Sequence, residues 1–208
     1  MVKEFYIVRH AESMENIGIE SSVFDPGLSP KGLWQKNKCA EFLKKYCGSQ
    51  TILLSSPFLR CVMTSEAIAS AIGTKITLEP ALHEYFSKTL FNIKKVKLPS
   101  LRKIASGHPL VAGGYSDDKW WPDANEDKAA LEMRLTMFRN RLLGEEFNSD
   151  GIVCVGHWAS VEALAKSLVP SMDVSTVANA SVIRIDFDGR KCRLVFNNET
   201  VFLSEKSS

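Results

Sequence analysis

The chain has 208 residues, 45% hydrophobic and 24% charged, with a formal net charge of +2 and five cysteines. The length suits one domain spanning 1–208 around a substantial core, and the composition excludes a disordered or collagen-like chain. So small a net charge excludes bulk attraction to nucleic acid or a membrane surface, and neither is expected as a partner. An odd cysteine count without a CxxC pair argues against a disulfide framework or a zinc ribbon, so the thiols read as reduced and mostly buried.

Lys3 and Glu4 precede only four apolar residues, Phe5 to Val8, too short a run for a signal-peptide core. No segment has the apolar length of a bilayer-crossing helix, so a cytoplasmic location is the expectation. Phe5–Val8 instead reads as a strand buried on both faces, as do Ile52–Leu54, Ile76–Leu78 and Ile152–Val155. Ser29-Pro30 and Ser56-Pro57 each place a capping hydroxyl before a proline at the first helical position. They predict helices from about Pro30 to Tyr46 and from Pro57 to Ile72, the second closed by Gly73.

The stretch from Ser87 to Asn125 fits no regular element and reads as a loop-rich insertion, about 87–125. Leu131, Leu135, Phe138 and Leu142 share one helical face, and a further helix is predicted from Ala159 to Leu168, before Pro170. Ser181–Phe187 and Cys192–Phe196 flank Asp188-Gly189-Arg190, a hairpin signal. A short polar tail, Ser204 to Ser208, follows. Strands alternating with helices predict a three-layer α/β/α sandwich on a mostly parallel sheet, with antiparallel strands added near the C-terminus.

In such sheets ligands bind beyond the carboxyl ends of the strands. There the sequence places Arg9 and His10 after the first strand, Arg60 after the second, Glu84 after the third and His157 after the fourth. Two arginines, two histidines and a carboxylate in one cleft suit phosphoryl transfer. Arginine offers a donor fork matched to phosphate oxygens, and Arg60, in the first turn of its helix, adds unpaired backbone N–H groups. A neutral His10 is the candidate nucleophile for an in-line attack on phosphorus. Glu84, kept protonated, is the candidate proton donor to the leaving group, and His157 would donate a hydrogen bond to a phosphate oxygen. A metal site built from His10, Glu12, Glu84 and His157 is disfavoured by the two flanking arginines. The basic run Lys94, Lys95, Lys97, Arg102 and Lys103 reads as a solvated face.

Arg9-His10-Ala11-Glu12-Ser13-Met14-Glu15-Asn16 resembles the signature of the histidine phosphatase, or phosphoglycerate mutase-like, superfamily at every marked position except Ala11, where glycine is usual. Leu28-Ser29-Pro30-Lys31-Gly32-Leu33-Trp34-Gln35, Ser56-Pro57 through Arg60 to Thr64, and Val155-Gly156-His157 resemble its other elements. The resemblance implies the superfamily's fold and a phosphohistidine on His10, with Arg9, Arg60 and His157 holding the phosphoryl group and Glu84 as proton donor. It adds Asn16 as a further phosphate ligand and implies no metal and no organic cofactor. Trp158 follows the second histidine, where a small residue is commoner, and would either narrow the pocket and stack on a substrate ring or pack against the insertion.

Leu59-Arg60-Cys61-Val62 and Leu78 through Tyr85 resemble, within the superfamily, the phosphatase domain of the suppressor of T-cell receptor signalling proteins. A phosphomonoester hydrolase is therefore expected, acting on a phosphorylated small molecule or a phosphoprotein. Aryl, phosphotyrosine and other ring-bearing phosphates are suggested by Trp120, Trp121 and Trp158. Trp120-Trp121 beside Gly113-Gly114 reads either as a lid or as a packed loop. A phosphoglycerate mutase-like phosphotransferase and a catalytically silent phosphate-binding protein are the alternatives. The edge of the terminal hairpin leaves room for a homodimer without requiring one.

Overall fold

A computed structural model of the chain describes residues 2–19, 24–89, 92–174 and 176–204. Residues 205–208 of the expected tail and two residues of the 87–125 insertion lie outside them. Six strands form one sheet in the order β3-β2-β4-β1-β5-β6: β1 (Lys3–Arg9), β2 (Ile52–Ser55), β3 (Ile76–Leu78), β4 (Gly151–Gly156), β5 (Val182–Phe187) and β6 (Cys192–Glu199). The first four are parallel, and β5 and β6 add antiparallel pairs next to β1. Each predicted apolar run is one of the parallel strands.

Alternation along the central strands divides the core. Tyr6 and Val8 with Val153 and Val155 face α1 (Pro30–Leu43) and α2 (Leu59–Ile72), whereas Phe5 and Ile7 with Ile152 and Cys154 face the other layer. That layer holds α4 (Lys128–Leu143) and α5 (Trp158–Leu168), and the four predicted apolar residues of α4 are its buried ones. Covering both faces is why β1 and β4 carry continuous apolar runs. The result is the expected α/β sandwich. Among the described residues no helix is long and apolar enough to cross a membrane.

Ser29 caps α1 as predicted, its Oγ accepting from the Gly32 N–H at 3.0 Å. The helix stops at Leu43 rather than Tyr46, because Lys45 and Tyr46 donate three residues back, to Phe42 and Leu43, in a tightened last turn. α2 begins at Leu59, not Pro57, and Ser56 is not its N-cap; the capping carboxylate comes from Asp25 instead, as described below. Gly73 closes α2 at φ +76°, the left-handed geometry that glycine accepts without strain. The 87–125 segment carries an element without a sequence signal, the short helix α3 (Leu101–Gly107), whose Leu101, Ile104 and Ala105 pack on the α1/α2 side.

Candidate active site

All four parallel strands run the same way, so the residues that follow β1, β2, β3 and β4 meet at one end of the sheet. His10 leaves β1 with its N–H donated to Gly156 at the end of β4 (2.9 Å), and its carbonyl accepts from Ala180 (3.2 Å). Its ring is 2% exposed. Nδ1 lies 2.7 Å from the Ala11 carbonyl, which can only accept, so Nδ1 carries the proton and Nε2 keeps its lone pair. Burial, and then the Arg60 charge, hold the imidazole pKa well below its ordinary value. The ring is therefore neutral at pH 7, as a nucleophile must be.

The residues after His10 are tied to both helices on that face. Ala11 N–H donates to Thr64 Oγ1 (3.1 Å), which itself donates to the Arg60 carbonyl (2.8 Å). Ala11 is fully buried within the α1/α2 side of the core, so its methyl group is accommodated. Glu12 N–H donates to Gln35 Oε1 (2.8 Å), while the Glu12 carboxylate accepts from Ser29 Oγ (2.7 Å) and pairs with Lys31 (3.2 Å). Glu12 thus belongs to the scaffold. Gly32 is part of the same junction, since a Cβ there would sit 1.9 Å from the Glu12 carbonyl oxygen.

Arg60, the second residue of α2, is 2% exposed and lies with its guanidinium 4.6 Å from the Phe58 ring centroid. Its Nε and Nη1 are buried and have no hydrogen-bond partner among the described residues. Three carboxylates surround it at ion-pair distance: Glu15 at 3.4 Å and Asp25 at 3.5 Å from Nη1, and Glu84 at 3.7 Å from Nη2. Asp25 also accepts the Leu59 N–H through its other oxygen (2.7 Å), so one buried side chain caps α2 and flanks the arginine. Burial raises the Asp25 pKa to about 6 against the pull of Arg60. Arg9 donates from Nη1 to the Val177 carbonyl (2.6 Å), its buried Nε has no hydrogen-bond partner among the described residues, and its charge is felt by His10 and Glu84.

His157 opens α5 with no exposed surface, its ring centroid 5.2 Å from that of His10. Nε2 hydrogen-bonds with Ser56 Oγ (2.9 Å), and the buried Nδ1, with no hydrogen-bond partner among the described residues, lies 3.4 Å from Glu84 Oε2. A Ser56 hydroxyl that donates to Nε2 leaves the proton on Nδ1, facing into the site. Burial and the Arg60 charge also keep this ring neutral. The other Glu84 oxygen accepts from the Tyr85 N–H (2.9 Å), and burial pushes the carboxyl pKa up against the Arg60 charge. Arg134 of α4 steadies this loop by donating to the Ala81 and His83 carbonyls and by a two-point pair with Glu126.

His10, Arg9, Arg60, Glu84 and His157 are therefore gathered at one end of the sheet. Asn16 is exposed on the turn after Ser13, and its Oδ1 accepts from Ser13 and Asn179. Trp158 is 44% exposed and lines, with Tyr85, a groove of about 490 Å³ between α4 and α5. Trp120 is packed, edge-on to Phe58, with its Nε1–H donated to the Pro99 carbonyl (2.9 Å). Glu15, Asp25 and Ser56 touch the central residues without having been singled out as site residues in the sequence. Ser56 was legible as a capping hydroxyl and as part of the Ser-Pro element before Arg60, not as a partner of His157, and the two acids carried no signal beyond their type.

The profile of the histidine phosphatase superfamily (branch 1) matches residues 5–200. Among solved structures, the chain resembles a phosphoserine phosphatase mutant from Entamoeba histolytica in complex with phosphoserine. That match has 21% identity over 97% of this chain and 100% of the other, with TM-score 0.67. It also resembles an ecdysone phosphate phosphatase from Bombix mori in complex with tungstate, with 15% identity over 95% and 93% of the two chains and TM-score 0.73. A mycobacterial glucosyl-3-phosphoglycerate phosphatase matches at 18% identity over 96% and 100%, with TM-score 0.65. Identities this low carry the fold alone. No match was found among curated protein sequences.

Proposed function

Because the chain belongs to the histidine phosphatase superfamily (branch 1), we propose that it is a metal-independent phosphomonoester hydrolase working through a phosphohistidine on His10. The observation that carries this reading is the pairing of a buried, neutral His10, its Nε2 lone pair unprotonated, with a buried Arg60 whose Nε and Nη1 have no hydrogen-bond partner among the described residues. Arg60, Arg9 and the His157 Nδ1–H hold the phosphoryl oxygens and meet the charge that builds on them in the transition state. His10 Nε2 attacks phosphorus as the ester P–O bond breaks, and Glu84 passes its proton to the departing oxygen. Water then attacks the phosphohistidine, the Glu84 carboxylate takes a proton from it, and inorganic phosphate and neutral His10 are restored. Asn16 is proposed as an outer phosphate ligand, reached by its exposed side chain. Trp158 and Tyr85, each next in sequence to a catalytic residue, suit aryl, phosphotyrosine or other ring-bearing phosphates.

The test is hydrolysis of 4-nitrophenyl phosphate between about pH 4.5 and 8 in EDTA, by wild type and His10→Ala. The reading requires EDTA-resistant turnover that falls by about 10³-fold or more in the variant. Inert wild type that transfers phosphoryl groups between phosphoglycerates would make it a mutase instead, and an enzyme inert in both assays a silent binding protein.

A further inference from the structure

Resting on the phosphatase reading, we infer that the preferred substrates are phosphomonoesters whose leaving group carries a positive charge, such as an alkylammonium, selected by the Glu15 carboxylate. The first argument is charge balance around the phosphoryl pocket. Arg9 and Arg60 supply two fixed positive charges, and both histidines are neutral. Against them stand Glu15, Asp25 and Glu84, all within 3.7 Å of Arg60 before any substrate enters. Even with Glu84 protonated, a phosphate dianion leaves the pocket with surplus negative charge. A leaving group that adds a carboxylate worsens that surplus, and one that adds an ammonium relieves it.

The second argument is position. His10, Arg60 and His157 are each at most 2% exposed, so the phosphoryl group is deep and the leaving group must project outward. Of the three carboxylates on Arg60, Asp25 and Glu84 are largely buried, whereas the Glu15 side chain is 52% exposed. Glu15 therefore stands between Arg60 and solvent. When phosphate oxygens take Nη1, the Glu15 carboxylate is displaced only as far as its short turn allows and borders the exit path. Among the described residues the buried Arg60 Nε has no hydrogen-bond partner and Nη1 faces Glu15 and Asp25 only at 3.4 and 3.5 Å, so the guanidinium keeps donors for phosphoryl oxygens right beside Glu15.

The experiment compares phosphoethanolamine with 2-hydroxyethyl phosphate, which differ by an ammonium in place of a hydroxyl, in wild type and Glu15→Gln. The ratio of their kcat/KM values is read in each enzyme, so any difference in intrinsic reactivity cancels between the two. The inference requires the ratio to favour the ammonium ester in wild type, to fall about fivefold in Glu15→Gln, and to invert further toward the hydroxyl ester in Glu15→Lys. It also requires the wild-type preference to shrink as salt rises. Should either ester turn over too slowly, competitive inhibition of 4-nitrophenyl phosphate hydrolysis gives the ratio of their binding constants from Ki, and the inference requires that ratio to favour the ammonium ester in wild type and to fall in Glu15→Gln. An unchanged ratio in Glu15→Gln, with 4-nitrophenyl phosphate still hydrolysed through His10, overturns the substrate inference alone. Loss of that hydrolysis in wild type, or its survival in His10→Ala, overturns the phosphatase reading beneath it.

Discussion

Replacing Gly32 by alanine should destabilise the protein and slow it, although alanine is the better helix former by about 1 kcal/mol. The new Cβ would lie 1.9 Å from the Glu12 carbonyl oxygen, 2.9 Å from its carbon and 3.2 Å from its nitrogen. All three contacts are backbone, so no side chain can swing aside. Reaching an ordinary contact of roughly 3.3 Å needs α1 and the residues after His10 to part by about 1.4 Å. That motion strains the Ser29 N–H to Glu12 carbonyl bond (2.9 Å) and the Glu12 N–H to Gln35 bond (2.8 Å). Overpacking at about 1–3 kcal/mol, plus about 1 kcal/mol for each weakened bond, exceeds the propensity gain and leaves a net loss of about 2–4 kcal/mol. For a chain of this size that lowers Tm by roughly 5–15 °C. His10 stands two residues before Glu12, so a shift of about 1 Å should also reduce kcat on 4-nitrophenyl phosphate by about 10-fold or more. Calorimetry and steady-state kinetics on the purified variant measure both. An unchanged or raised Tm with wild-type kcat would refute the close approach of α1 to the nucleophile's loop.

Glu84→Gln cannot donate a proton; it should cost about 10²-fold or more on an alkyl phosphate and much less on 4-nitrophenyl phosphate, whose leaving group needs no proton. Equal losses on both esters would remove Glu84 from that role. Asp25 has a folded pKa raised to about 6, so its contribution to stability is present below about pH 4 and lost as pH rises through 6. Asp25→Asn keeps an oxygen for the Leu59 N–H but cannot ionise. Denaturant titrations should show the variant gaining on wild type by about 3 kcal/mol between about pH 4 and 7, and parallel pH curves would contradict the assignment. The His10 pKa is lowered well below 6.5, mainly by burial, so kcat/KM on 4-nitrophenyl phosphate should show no His10 protonation step as pH falls through 6.5. A drop with an apparent pKa near 6.5 that persists in Asp25→Asn would mean that His10 protonates like an exposed imidazole.

Local chemistry alone determined much of this protein. Four apolar runs could only be buried strands, Ser29 and Gly73 had one sensible use each, and five reactive side chains followed strand ends that a parallel sheet must bring together. These signals are short-range, written within a few residues of the atoms they describe. What tertiary structure decided is the choice of partner across long separations. Ser56 carries a capping hydroxyl at a helix start, yet it bonds His157, 101 residues away, while Asp25 caps α2 from 34 residues upstream. The Arg134–Glu126 pair that steadies the Glu84 loop reads in sequence as two ordinary surface charges. Glu15 and Asp25 converge on Arg60 only because the turn after β1 and the start of α2 meet above the sheet. Periodicity and capping report which way a side chain faces, but the charge balance of a buried pocket depends on which faces the fold places opposite one another.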